Sequence, residues 1–334
     1  MIDSNKIKIW LKKNNIQSSE NVNLKNYSYF KSGGHAKKIL FPNNLNQFQK
    51  CIKFLNENFI KFKVIGETTN LIFLDDVVYT CFISTSCLDK MFFDDNRNEI
   101  VAETGVMLPN LSRYALKKSL TGFEGLEGIP GSIGAAVFMN AGAYGNEIKQ
   151  TIVTVEVILP DGSIKKYNKS QLKLRHRNSI FRTKKNNEII YKCFFKGKNG
   201  NVINIYNKMS LFHNKRHKYQ EWMYPNLGSL YSGSVYRSLA KKDFIFGLIS
   251  SCYYLIFYKW KLFRRESPDN RNWLNQIAVK RFNIKFKNQP FSNKDMNTLI
   301  NNGHHTDEII DYVSQLKKLV GDNIPIENEI VKKF

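Results

Sequence analysis

Residues 122–145 read GFEGLEGIPGSIGAAVFMNAGAYG, and the spacing of glycine in this stretch decides the fold. Seven residues are glycine (Gly122, Gly125, Gly128, Gly131, Gly134, Gly142, Gly145), interleaved with Ala135, Ala136, Ala141 and Ala143. Few side chains therefore stand between this backbone and a ligand. Glycine admits positive φ and close approach, so successive N–H groups can converge on an anion, while Pro130 fixes one turn. Close strand packing explains any single glycine pair. Seven glycines, with the Asn140 amide as a side-chain donor, favour a cradle for a phosphorylated cofactor. The spacing matches neither the GxGxxG of dinucleotide folds nor the P-loop of nucleoside triphosphatases.

Upstream, 38–42 reads as a strand stopped by Pro42, and 44–56 places Leu45, Phe48, Cys51, Ile52 and Leu55 on one helical face. A second strand at 63–65 ends in the loop GETTNL, completing a βαβ-like unit whose ligand lies beyond the strand ends. Short apolar runs across 71–106 predict further strands of an antiparallel or mixed sheet. A helix is expected over 108–121, closed by Gly122. Strands at 152–159 and 164–167 flank the turn Pro160-Asp161-Gly162, another follows at 188–195, and a last helix over 306–320 has Thr306 as its N-cap. The expected division is an appendage at 1–20, lobes at 21–78 and 79–207, and a C-terminal domain at 208–334.

The chain has 334 residues, more than the roughly 250–300 at which single cores stop growing, so several lobes are expected. Its 51 Lys+Arg against 28 Asp+Glu, a formal charge of +23, suit anionic ligands. No Lys/Arg block forms a nucleic-acid arm, so nucleic acid is not an expected partner. Cys51, Cys81, Cys87, Cys193 and Cys252 are scattered, without a CxxC pair, which argues against a disulfide framework and a zinc site and for a reducing cytoplasm. No apolar run follows Met1, so no secretory leader is read. Residues 244–258, FIFGLISSCYYLIFY, carry no charge and are flanked by Lys241, Lys242, Lys259, Lys261, Arg264 and Arg265. They fall short of the about 20 residues of a membrane span, and read as a buried helix or strand pair, or as an interfacial segment at 244–265 contacting anionic lipid. A monomer is expected.

The run GIPGSIGAAVFMNAGAYG resembles the flavin-binding signature of the UDP-N-acetylenolpyruvoylglucosamine reductase family. VIGETTNLIF at 64–73 resembles that family's other flavin loop, and YFKSGGHA at 29–36 its entry to the first lobe. The resemblance extends unevenly over about 26–331. It implies an α+β fold, with an FAD-binding domain of two α/β lobes of the vanillyl-alcohol-oxidase/PCMH type and a C-terminal substrate-binding α+β lobe. It implies FAD held by Gly66, Glu67, Thr68, Thr69, Asn70 and Leu71 of one loop. The other segment would contribute Gly128, Ile129, Pro130, Gly131, Ser132, Gly134, Asn140, Ala141, Gly142, Ala143 and Gly145. No metal is implied. The implied reaction is NADPH-dependent reduction of UDP-N-acetylglucosamine enolpyruvate to UDP-N-acetylmuramate for peptidoglycan precursors.

Hydride delivery to the vinyl carbon leaves a carbanion or enol that needs a proton, so the chemistry calls for a cation, a proton donor and a carboxylate. The resemblance supplies all three. Arg177 lies in RHRNSIFR, similar to the family's Tyr-Arg-Asp-Ser-Ile-Phe run with His176 and Asn178 replacing tyrosine and aspartate. Ser229, in YPNLGSLYSG, matches the proton donor, although Leu230, Tyr231, Ser232 and Gly233 replace the usual Phe-Lys-Asn-Pro. Glu329, in IPIENEIV, matches the second acid of Glu-Pro-Glu-Val, with Glu327 as its neighbour. Thr68 and Thr69 stand where Gly-Ser is common, and 234–286 has no counterpart. Two other readings are a flavin-linked oxidase or dehydrogenase tethering its cofactor through His35, and a non-catalytic paralogue that binds nucleotide sugar.

Overall fold

The computed structural model describes residues 4–183, 187–263, 267–322 and 324–334. The first lobe is built on β1 (Gln17–Asn23), β2 (His35–Phe41), α2 (Leu45–Glu57) and β3 (Lys63–Ile65), followed by β4 (Leu71–Phe73), β5 (Val78–Tyr79) and β6 (Phe82–Ser84). Its sheet runs in the order β1-β2-β6-β3, with β5 beside β2. β2, β6 and β3 are parallel and β1 is antiparallel to β2. Asn44 starts α2 by accepting from the Gln47 N–H at 3.0 Å, and the helix buries Phe48, Cys51, Ile52 and Leu55 as its spacing requires.

The N-terminal residues are not an appendage. The apolar side of α1 (Ser4–Lys13) has a partner, because Trp10 stacks on Phe54 of α2 with ring centroids 4.0 Å apart, while Leu11 and Ile16 are buried. β1 then crosses the expected boundary at residue 20 and adds an edge strand, Gln17 lying opposite Phe41.

The second lobe is a five-stranded antiparallel sheet of β7 (Met91–Asp94), β8 (Glu99–Glu103), β9 (Ile152–Ile158), β10 (Ile164–Asn168) and β11 (Ile189–Phe195), in the order β10-β9-β11-β8-β7. α3 (Leu108–Lys117) and α4 (Ile133–Met139) pack Leu111, Ala115, Ile133 and Val137 into one core with Val155 and Phe195. α3 ends before the predicted Thr121. Ser119 adopts φ 57, and Leu120 turns inward to form a short strand beside Lys198–Asn199, so Gly122 belongs to the following turn.

α5 (Val202–Tyr219) spans the expected boundary at 207/208. The C-terminal lobe places β12 (Asn226–Ser229) against β13 (Thr298–Ile300), enclosed by α6 (Val235–Lys242), α7 (Phe244–Tyr254), α8 (Asn272–Arg281) and α9 (Thr306–Val320). Its core holds Tyr236, Phe246, Leu274, Phe291, Tyr312 and Leu316. The N-cap of α9 is His305, one residue before the predicted Thr306. Thr306 bonds instead to the first lobe: its N–H donates to Asp75 Oδ2 at 2.8 Å, and its Oγ1 accepts from the Asp75 N–H at 2.9 Å. An acid at a helix N-terminus also complements the helix dipole.

The last strand leaves the C-terminal lobe. β14 (Glu329–Val331) pairs in parallel with β4, and Phe334 packs on Tyr79 and Phe82 at 5.6 and 5.4 Å. The chain end thus belongs to the first lobe's core rather than to a separate domain at 208–334.

Candidate active site

Two clefts adjoin where the loop at 66–71 meets the segment at 129–135. One, of about 820 Å³, is lined by Gly66 to Leu71, Gly134 and Glu329, with Phe59, Phe138, Phe181 and Phe334 among its apolar walls. The other, of about 700 Å³, is lined by Ile129 to Ser132, Ala141 to Ala143, Arg177, Ser229 and Glu327. Thr69, Asn70, Ser132, Ala135 and Met139 border both.

The loops touch at their glycines. A Cβ on Gly66 would collide with Ser132 Oγ, and Gly131, at φ +119, would bring one to 2.8 Å from Thr69 Oγ1. Thr69 Oγ1 also donates to the Pro130 carbonyl at 3.2 Å. Thr68 holds φ 56, a left-handed conformation unusual for a β-branched residue, and its Oγ1 accepts from the Tyr29 N–H at 2.8 Å. That hydroxyl bond helps to hold the loop where glycine would need no such help.

Not every expected cofactor residue reaches a cleft. Gly128, Asn140 and Gly145 border neither. Asn140 is 1% exposed and its amide is committed elsewhere, donating to Glu147 Oε2 at 3.0 Å and the Arg175 carbonyl at 2.9 Å while accepting from the Lys149 N–H. With these bonds it braces the Arg177 loop against the glycine-rich segment. The first N–H groups of α4, on Ile133 and Gly134, donate to Val106 and Thr104 carbonyls, so close packing accounts for part of the glycine content.

Arg177, at φ 51, donates through Nη1 to the Gly142 carbonyl at 3.1 Å. Its Nε lies 2.9 Å from Glu327 Oε2, yet that N–H is aligned with no acceptor and stays buried without a hydrogen bond. Arg182 fixes the loop by donating to the Arg177 carbonyl at 2.7 Å. Ser229, exposed at the end of β12, stands opposite Thr298 and opens onto the same cleft.

The three expected catalytic residues do not share one cleft. Glu329 borders the other, closely ion-paired with Lys63. The backbone explains the separation: the Glu327 N–H donates to the Leu230 carbonyl of the C-terminal lobe, whereas Glu329 opens β14 beside Leu71 of the first lobe. Asn70 joins them, its Nδ2 donating to the Glu327 carbonyl at 2.8 Å and its carbonyl accepting from the Glu329 N–H at 2.9 Å.

Sequence reasoning missed Arg216, Gln220 and Tyr231. All three border the Arg177 cleft, and Arg216 Nε and Nη2, Gln220 Oε1 and Tyr231 OH are buried without a hydrogen-bond partner. Such atoms are costly unless a ligand or an ordered water completes them. Burial pushes the Tyr231 phenol up to about 12, which keeps it a donor, and burial lowers the pKa of Arg216, whose guanidinium stands over the Tyr144 ring at 5.6 Å. The available signal was the four-residue spacing of Arg216 and Gln220 at the end of a helix leading to Ser229.

Residues 36–168 match the model of the FAD binding domain family. The chain is 37% identical to the UDP-N-acetylenolpyruvoylglucosamine reductase of Fervidobacterium nodosum over 236 residues, covering 68% of this chain and 75% of that one. A Clostridium botulinum reductase of the same name is also 37% identical, over 69% and 77% of the two chains. The chain belongs to the UDP-N-acetylenolpyruvoylglucosamine reductase family. The fold agrees: the crystal structure of the Thermus caldophilus UDP-N-acetylenolpyruvylglucosamine reductase superposes with a TM-score of 0.65 over 94% of this chain and 98% of that one, at 19% identity.

As a member of this reductase family the chain is a flavin-dependent oxidoreductase with FAD as cofactor. Its own residues fit a flavin dinucleotide, since a cleft walled by aromatic rings leads to two backbone loops pressed together at Gly66 and Gly131. His35, the residue on which the covalent-tether reading rests, is exposed and borders neither cleft.

Proposed function

We propose that this chain catalyses the NADPH-dependent reduction of UDP-N-acetylglucosamine enolpyruvate to UDP-N-acetylmuramate, a step in making peptidoglycan precursors. The observation that carries this reading is the meeting of Arg177 and Ser229 in a cleft walled by the flavin-loop segment. FAD, when bound, supplies the hydride chemistry linking the nicotinamide to the substrate's vinyl group. The remaining work falls to side chains. Arg177 takes the enolpyruvyl carboxylate on the guanidinium edge that Glu327 now approaches, and its fixed positive charge stabilises the enolate that develops there. Ser229 delivers the proton to the carbon bearing the ether oxygen.

Glu329 assists proton transfer from the junction at Asn70, where its N–H is anchored. Arg216 and Tyr231 have donors suited to the diphosphate and sugar of the substrate. Cytoplasmic placement is supported by five cysteines that are all free, and no described helix is long and apolar enough to cross a membrane. The test is NADPH consumption by purified protein with and without enolpyruvyl sugar, with the product identified by mass. Substrate-dependent formation of UDP-N-acetylmuramate is expected; NADPH oxidation unaffected by the sugar would overturn the reading.

A further inference from the structure

α7 continues into a π-helical turn, Leu255–Lys259, and together they are apolar on both sides. The inward side carries Phe246 and Tyr253 into the core shared with Leu239 and Leu274. The outward side carries Phe244, Ile245, Leu248, Ser251 and Cys252, all exposed, then half-buried Leu255 and Ile256, and ends at exposed Lys259. These positions recur at three- and four-residue intervals, the spacing of one helical face. Phe244 is 85% exposed and Leu248 58%, and the chain beyond adds Trp260 at 58% and Phe263 at 77%. The expectation of a buried segment therefore holds for one side only.

Along residues 241–265 basic side chains predominate and Asp243 is the single acid. No Asp or Glu occurs in 244–263, whereas Lys241, Lys242, Lys259 and Lys261 are exposed at its two ends. Asp243, at the start of the helix, is neutralised by Arg281 at 2.7 Å. Arg264, Arg265 and Glu266, which follow in the sequence, lie outside the described residues. None of 241–263 borders either cleft.

We propose that this face docks on the surface of an anionic lipid bilayer, seating the aromatic and aliphatic ridge among the lipid headgroups and the lysines against their negative charge. A protruding apolar ridge with basic flanks is the composition of an interfacial helix, and among the described residues no helix can span. A second copy of this chain fits less well, because both ends of the ridge are basic and an isologous contact would bring Lys241 and Lys242 of one copy toward Lys259 and Lys261 of the other.

The test is sedimentation of purified, FAD-loaded protein with vesicles of phosphatidylcholine alone or mixed with phosphatidylglycerol, read alongside tryptophan fluorescence. The wild type is expected to pellet only with the anionic vesicles, to be released by salt, and to show a blue shift that Trp260→Phe removes. Leu248→Asp with Phe263→Ser, or Lys241→Glu with Lys259→Glu, should weaken binding by on the order of tenfold while NADPH turnover stays unchanged. No binding by the wild type, or equal binding by the apolar variant, overturns the proposal. A dimer in light scattering that Leu248→Asp converts to monomer also overturns it, and assigns the face to a second copy.

Discussion

The guanidinium of Arg177 stands with Nε 2.9 Å from a carboxylate oxygen of Glu327 but donates no hydrogen bond to it. The pair holds charge against charge while leaving a directed donor unused. A substrate carboxylate that meets the guanidinium squarely gains what Glu327 does not, so Glu327 competes with substrate for the arginine. Glu327→Gln is expected to lower KM for the enolpyruvyl sugar roughly 2- to 5-fold with little change in kcat, as the loss of a half-buried ion pair implies. A raised KM would place Glu327 in the substrate's own binding set.

Arg177→Ala should remain yellow with bound FAD and still be reduced by NADPH, because the two loops that touch at Gly66 and Gly131 are intact. Reoxidation by substrate should fall on the order of 10²- to 10³-fold, the effect of removing one preorganised charge donor. Arg177→Lys should recover only a small part, since an ammonium lacks the planar fork. Rapid-mixing absorbance checks both, and an unchanged reoxidation rate would remove Arg177 from the chemistry.

Thr68 keeps φ 56 with the help of its Oγ1 bond to the Tyr29 N–H. Thr68→Ala loses that bond and keeps the strained backbone; Thr68→Gly loses the bond and relieves the strain. Chemical denaturation should therefore find the glycine variant more stable than the alanine variant by about 1 kcal/mol. The reverse order would mean that the left-handed conformation costs nothing here.

Glu147 gives a pH test of the brace around Asn140. Desolvation raises its pKa, but hydrogen bonds from Lys149 and Asn140 outweigh it, and the folded carboxyl ends below its ordinary value. Its contribution is present above the ordinary glutamate range and is lost as pH falls through the lowered folded value. The stability difference between wild type and Glu147→Gln should thus favour wild type near neutrality and shrink in acid. A difference that grows toward acid would contradict this.

Much of the fold is written in local periodicity. Phe48, Cys51, Ile52 and Leu55 declare α2, and the short apolar runs of the second lobe declare its antiparallel strands. What periodicity omits is partnership across the chain. Nothing near Trp10 announces that Phe54 receives it, and nothing in β14 announces that β4 pairs with it. The site divides in the same way. Motif position points to Arg177 and Ser229, which share one cleft, and to Glu329 rather than Glu327, but it does not show that these two acids border different clefts, because their bonds go to lobes distant in sequence. Nor does the sequence show where the Asn140 amide is spent, because its partners, Glu147 and the Arg175 carbonyl, are brought to it by folding. Arg216 is one basic residue among 51 in the sequence, and its buried, unpartnered nitrogens set it apart in the structure.

The central claim is that NADPH and the enolpyruvyl sugar meet the same FAD in the site walled by the 66–71 and 129–135 loops. Its most direct test is anaerobic titration of purified, flavin-loaded protein followed at the visible flavin band. NADPH should bleach the band, and addition of UDP-N-acetylglucosamine enolpyruvate should restore it, with one UDP-N-acetylmuramate formed per flavin reoxidised. A band that bleaches with NADPH and stays bleached after the enolpyruvyl sugar is added would contradict the account.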